Sequence, residues 1–487
     1  YYVGLDGGQT RGMHNLHYAL YCYIEMPDAM ISGHSYTLTL DNGKAATFLY
    51  DESRTVSRAI KVNQSGYLPD SAKKYAYIGA CVHGFGPLPL SHATTFEVIN
   101  AQTGAVAHSG SVTLREANPR FSVKPGNTDN PATRPLMLGE DLYQIDLNGL
   151  TQHGWFFIRV PGVGRSWTFR HAPDAYGEAF YTSARGLYHQ RANSAYQMPF
   201  TPWSRIKAHS EPIYESALVC FGFGDFDEPA NYQRFDIVGA TLDLTKATPN
   251  VEGGWYDAAD WDRSIRHYTN IFDMLYAYEI APAKFVDGQL NIPESGNGVP
   301  DILDEVEYGL EVWTRSMTAD GGVSGMVEAS THPTMTDPAY KYGYSQRTRW
   351  SSLLYAAAAA QLSEMLIPVD ATRSAKYRQL ALKAYGFGVN PANSLGTTTI
   401  PAATNRGLGT PYTYTWTELD SMNDPYLFHA KLRLHYLTGD TAYLSGIESH
   451  LDGASPWGWP NTLRDGVPWF YFSIAHRGTG IFSQVLI

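Results

Sequence analysis

Positive charge is scarce in this sequence: 36 Lys and Arg stand against 47 Asp and Glu, giving a formal net charge of −11. That balance leaves no basic face for phosphates, which sets aside nucleic acid and anionic membrane surfaces as partners. The ligand is expected to be neutral or cationic. Cysteine is nearly absent as well, with only Cys22, Cys81 and Cys220, far apart and in no CxxC or CxxH spacing. They supply neither a zinc site nor a disulfide framework and read as free thiols. No run approaches the roughly 18 apolar residues of a membrane helix. The opening YYVGLDGGQT lacks the charged-then-apolar order of a secretion signal, so the chain is expected to be either cytoplasmic, or secreted or periplasmic with its signal removed. Fixed-period repeats, low-complexity tails, an HExxH pair, a nucleophile elbow, a P-loop and a dinucleotide fingerprint are all missing.

What is present is ring-rich and sparingly charged. Aromatic residues make up 13% of the chain, including 34 Tyr and 11 Trp, while charged residues make up 17%. Flat rings with polar tips suit hydroxyl-rich ligands, covering their C–H faces while neighbouring groups take the hydroxyls. At 487 residues the chain is long enough for several domains. YTLTLDNGKAATFLYDE places Asp41-Asn42-Gly43 turn chemistry between two strand-like runs, a small β segment over residues 1–56. From Ala59 to Phe169 short runs broken by Gly, Pro or Asn predict an immunoglobulin-like β-sandwich, assigned to 57–172. Past Tyr176 the period becomes helical. Ile302, Leu303, Val306, Leu310, Trp313 and Met317 share one helix face behind Pro300. Further helices are expected over 350–366, with its five-alanine run, over 377–387, and through Leu427, Ala430, Leu434 and Leu437 up to a Gly439 stop. Residues 173–487 therefore read as an all-helical domain with long loops.

Within that domain GGWYDAADWDRS, residues 253–264, crowds acids among tryptophans. Neighbouring carboxylates raise each other's pKa, so a fold keeps them together mainly where they share a water, a metal or a substrate. Residues three apart on a helix or tight loop have Cβ atoms about 5–6 Å apart, so Asp257 and Asp260 are able to grip one water from the same side. The competing structural reading is a capping or calcium-binding pair.

Several stretches in order resemble the glycoside hydrolases of family nine, the inverting cellulase family, in the subgroup with an immunoglobulin-like domain before the catalytic one. They are VNQSGYLP at 62–69, YQIDLNGLTQHGWFFIRVPG at 143–162, LYHQR at 187–191, GGWYDAAD at 253–260, NGVPDILDEVEYGLEVW at 297–313, DGGV at 320–323 and LRLHYLTGDTAYL at 432–444. The resemblance implies a multidomain chain, a β-sandwich followed by an (α/α)6 barrel with an open cleft. It implies Asp260 as the base that activates water and Asp257 as its partner, with Ala259 standing where the family usually has glycine. It implies β-1,4-glucan hydrolysis with inversion and no required cofactor, although structural calcium is common among relatives. The partner is then an oligo- or polysaccharide. Inversion needs acid and base about 6.5–9.5 Å apart on opposite sides of the sugar, so the acid is expected from a distant segment. The family's acid, a glutamate near the C-terminus, has no counterpart before GIFSQVLI, so the barrel is expected to be incomplete, with the acid in an omitted C-terminal segment. Glu418 is set aside as a substitute.

Other residues carry weaker expectations. Trp255 and Tyr256 divide evenly between stacking on sugar and bracing their loop. Trp457 and Trp459, with Trp469, form a candidate sugar platform whose competitor is partial burial in a loop. His332, in a loop after DGGV, is a candidate substrate contact set against an ordinary loop histidine. No residues are assigned to a metal. The acids of 301–307 read as helix N-terminal charges. Two alternatives accompany the glucanase reading: an exo-acting β-glucosaminidase on chitosan oligosaccharides, favoured by an acidic cleft, and a carbohydrate-binding relative without catalysis.

Overall fold

The computed structural model describes residues 24, 26, 28–82, 86–117, 139–218, 241–249, 252–256, 263–264, 267–329, 341–401, 413–417, 423–446, 463–464 and 467–468. The chain divides into two compact units, Tyr1–Phe180 and Tyr181–Ile487.

The first unit is built of strands. His34–Thr39 and Ala45–Tyr50 pair as an antiparallel hairpin, with Gly43 at φ 79° in the turn between them. Beyond it lie a four-stranded sheet, in the order Ile60–Lys61, Tyr75–Ile78, Leu142–Asp146, Thr113–Glu116, and a five-stranded sheet centred on Gly154–Val160 and Thr95–Asn100. Inward-pointing residues alternate along strands such as Tyr75–Ile78 and close one apolar core of Ile60, Ile78, Val98, Ile145, Phe156 and Ile158. This is the β-rich architecture expected of 57–172.

The second unit carries long helices: α1 (Gly177–Gln190, beginning just before the division), α2 (Tyr268–Ile280), α3 (Asp301–Ser316), α4 (Arg349–Leu366), α5 (Ala371–Val389) and α6 (Asn423–Thr438). Thr348 and Ser351 close a capping box at the start of α4, and the Asp370 carboxylate caps α5 by accepting from the Thr372 and Arg373 amides. Those caps explain why α5 begins six residues before the 377 read from periodicity. Ala356–Ala360 of α4 are wholly buried, and the small side chains let α5 and α6 pack closely against it. Arg433 of α6, itself buried, donates to Glu279 of α2 at 2.6 Å, and Gln361 of α4 donates to the same carboxylate at 2.8 Å, tying three helices by one acid.

The all-helical expectation needs correction. The second unit also holds a five-stranded sheet, in the order Asp243–Thr248, Ile213–Glu215, Tyr342–Tyr344, Met326–Ala329, Arg263–Ser264. Every residue of Met326–Ala329 and Tyr342–Tyr344, Glu328 included, is buried, so these strands have no solvent-facing side and lack the apolar-in, polar-out alternation that announces a strand in sequence. No helix among the described residues is long and apolar enough to cross a membrane.

Candidate active site at residues 252–264

The chain entering the acidic segment is held from three directions. Segments 190–192 and 254–256 pair like two antiparallel strands: Ala192 N–H donates to Gly254 O at 2.9 Å and Tyr256 N–H to Gln190 O at 2.8 Å. Gly254 N–H reaches Tyr308 O on α3 at 2.8 Å. Gly253 and Gly254 adopt φ of 112° and 75°, and a Cβ on Gly253 would stand 2.5 Å from the Val312 backbone nitrogen. Only glycine combines that backbone with so close an approach to a helix.

Trp255 follows, 1% exposed, its ring lying on the bare backbone of α3 at Gly309. Its Nε1–H donates to Glu305 Oε1 at 2.7 Å. Glu305, with no exposed surface, accepts from Arg191 Nη2 at 2.8 Å, and Arg191 also donates to Glu294 at 2.9 Å. The Arg191 guanidinium lies 4.1 Å from the Tyr308 ring centroid. Burial works to lower the Arg191 pKa, but Glu305 first and then Glu294 carry it above its ordinary value. The tryptophan, the arginine and two acids thus form one charge-assisted network around residues 253–255.

Tyr256 completes the entry. Its hydroxyl donates to Ala208 O and accepts from the Asn193 N–H, both at 2.8 Å, and burial raises its pKa. Arg263, on the exit side and fully buried, donates from Nη1 to Asn193 Oδ1 at 2.8 Å. Asn193 therefore links the last described residue before the acidic segment to the first one after it.

Asp257 and Asp260 lie outside the described residues, as do His332, Trp457, Trp459, Trp469 and Glu418. The two site residues that are described, Trp255 and Tyr256, are both buried. Their polar atoms are committed within the protein, Trp255 to Glu305 and Tyr256 to Ala208 and Asn193, which holds residues 255–256 in place. The acids of 301–307 also need correction, because they do more than favour the helix dipole. Asp301 accepts from the Gly288 and Leu290 amides, Asp304 from Asn297 and Arg373, and Glu305 from Trp255 and Arg191. Glu305 was recognisable in principle. It sits on the stripe Ile302, Val306, Gly309, Trp313, and a charge on the buried face of a helix needs a buried partner. Among the described residues no group of three or more His, Cys, Asp or Glu side chains is placed to hold a metal ion.

The contact at Gly309 yields a prediction. A Cβ there would stand 2.2 Å from Trp255 Cη2, and the ring is pinned by Glu305. Alanine favours a helix by about 1 kcal/mol over glycine, whereas overpacking a fixed ring costs about 1–3 kcal/mol. Gly309→Ala is therefore expected to lower the midpoint of chemical unfolding without changing its slope. A raised midpoint would show that the ring is free to move aside.

Comparison with known proteins agrees with this architecture. Residues 176–473 match the profile of Glycosyl hydrolase family 9, and residues 55–165 match the cellulase N-terminal Ig-like domain. Endoglucanase D of Acetivibrio thermocellus is 24% identical over 342 residues, covering 69% of this chain and 46% of that protein. The xyloglucan-specific endo-β-1,4-glucanase of Bacteroides ovatus is 24% identical over 269 residues, covering 54% of this chain and 38% of its own length. The chain thus spans about half the length of the curated relatives it matches, or less. A metagenome-derived glycoside hydrolase family 9 endoglucanase superposes with a TM-score of 0.59 at 26% identity, covering 88% of this chain and 71% of the other. A thermostable endoglucanase from Alicyclobacillus acidocaldarius gives 0.55 at 19% identity over 82% and 63% of the two chains, a likeness of fold. With more than half of its length matched by that family's profile, behind an immunoglobulin-like domain, the chain belongs to glycosyl hydrolase family 9.

Proposed function

We propose that this chain hydrolyses β-1,4-glycosidic bonds in glucan chains, as an inverting, cellulase-type enzyme. Asp260 is the base that takes a proton from the attacking water, and Asp257 holds that water with it. The helices α1 to α6 are read as members of an (α/α)6 barrel. Family membership and the endoglucanase names of the relatives support the substrate class. The observation that carries the placement of the chemistry is the clamp: the chain is fixed immediately before Asp257 by Trp255 and Tyr256, and again at Arg263 through Asn193. Such rigidity suits a reaction in which the base must hold a water in line with the anomeric carbon.

The step balances simply. As the water oxygen bonds to the anomeric carbon, its proton passes to Asp260, the bond from that carbon to the leaving oxygen breaks, and an acid from another segment protonates that oxygen. The new hydroxyl lies on the face opposite the departed chain, so a β-linkage releases an α-anomer.

Proton NMR during the first minutes of cellopentaose cleavage tests this, with α-anomer expected to appear before mutarotation. A β-anomer as first product would sink the inverting mechanism. A chitosan pentamer cut in preference to cellopentaose would move the substrate to the amino sugar. Cello-oligosaccharide binding without any cleavage would leave two readings, a carbohydrate-binding protein or an acid supplied from outside these residues.

A further inference from the structure

The first unit carries an open groove of about 670 Å³, lined by Arg58, Lys61, Val62, Gln64, Trp167 and Thr168 among others. This volume falls in the range of about 300–1,000 Å³ typical of ligand sites. The Trp167 side chain is 52% exposed, which alone would mean little, because single exposed rings are common on protein surfaces. Three further observations give it meaning.

The ring stands on a fixed backbone. Ser166 Oγ accepts from the Ile158 N–H at 2.9 Å and donates to Trp167 O at 2.7 Å, and Phe169, two residues on, is wholly buried in the core. The opposite wall is tied to the same ridge, since Ser57 N–H donates to Arg165 O at 2.8 Å and Arg165 N–H to Thr55 O at 3.0 Å. Finally, the groove's polar groups are unevenly committed. Lys61 is paired with Glu140, while the exposed side chains of Arg58 and Gln64 make no hydrogen bond to other described residues. A free guanidinium is therefore presented beside a rigid, open indole, a local exception to the neutral or cationic ligand that the net charge of −11 favours for the chain as a whole.

We infer that this groove binds an oligosaccharide bearing a carboxylate. Trp167 lies under the C–H face of a sugar ring, Gln64 and Thr168 take its hydroxyls, and the planar Arg58 fork receives a uronate carboxylate. The site needs no hydrolysis and does not depend on the acidic loop of the second unit.

Calorimetric titration of the Asp260→Ala chain with glucuronate-bearing xylo-oligosaccharide and with neutral xylo-oligosaccharide of equal length tests this, the substitution serving to prevent cleavage. The uronate ligand is expected to bind at least about tenfold tighter, as removal of a charge-assisted bidentate contact predicts. Adding Trp167→Ala should weaken both ligands about tenfold or more. Adding Arg58→Gln should erase the preference while leaving neutral binding unchanged. Equal affinity for the two ligands, or binding indifferent to both substitutions, would overturn the proposal, and neither result would touch the hydrolytic reading, which rests on product anomers. Circular dichroism of each variant guards against unfolding, which neither exposed substitution should cause.

Discussion

Asp260→Ala lowers turnover of cello-oligosaccharides by about 10³-fold, within the range of 10² to 10⁴ that a positioned general base contributes. KM should change little, because the carboxylate meets the water and not the sugar, and an interaction made mainly in the transition state is lost from kcat. Asp257→Ala is expected to fall in the same direction, and the double substitution to cost little more than Asp260→Ala alone, since two groups gripping one water act as a unit. Initial rates on cellopentaose for the three variants decide the matter. Wild-type turnover in Asp260→Ala would remove the base from this segment. Additive losses would mean that the two carboxylates do separate work. The fold should survive these changes, because the contacts on either side of the acids, at Trp255, Tyr256 and Arg263, do not involve them.

The two units differed in how legible they were. The sandwich could be read because alternate residues such as Ile145, Phe156, Ile158 and Val160 reach the core while Asp146 and Trp155 are exposed and Phe157 is covered by Arg165, leaving a period of two in the sequence. Helix α3 could be read for the corresponding reason at a period near 3.6, and α4, buried almost all round, from its five-alanine run. The buried strands of the second unit could not, because Met326–Ala329 and Tyr342–Tyr344 face protein on both sides and carry no alternation. At the site, GGWYDAAD announced the chemistry because carboxylates three residues apart behind two glycines are a local pattern. The support beneath it was hidden. Arg191 and Glu305 are 114 residues apart, and only the fold brings them together. The role of Trp255 was undecidable for a similar reason, since nothing local distinguishes a tryptophan that faces a cleft from one pressed on a helix at Gly309.

That hidden network sets the second large effect. Glu305→Ala leaves Arg191 buried with only Glu294, whose side chain is 31% exposed, and strips the acceptor from the buried Trp255 Nε1–H. Removing one partner of a buried ion pair costs about 3–5 kcal/mol, a large share of the roughly 5–15 kcal/mol by which a domain is stable. A corresponding fall is expected in the unfolding midpoint of the second unit. Glu305→Gln should cost less, because its amide oxygen still accepts from the indole while only the charge is lost. It provides the sharper test of what the network does for the site. If the network merely stabilises the fold, Glu305→Gln lowers the midpoint and leaves kcat untouched below it. If it positions the entry to the acidic loop, kcat falls by up to about 10²-fold at temperatures where the protein is fully folded, with KM nearly constant, since about 1 Å of misplacement is enough for such a loss. Replacing the pair together, Arg191→Met with Glu305→Gln, then separates the two roles. Removing the stranded charge should recover much of the stability lost in Glu305→Ala, because a buried pair exchanged for uncharged groups is often near neutral. The lost turnover should not return with it, because the ionic anchor that fixes Trp255 against segment 190–192 is still gone.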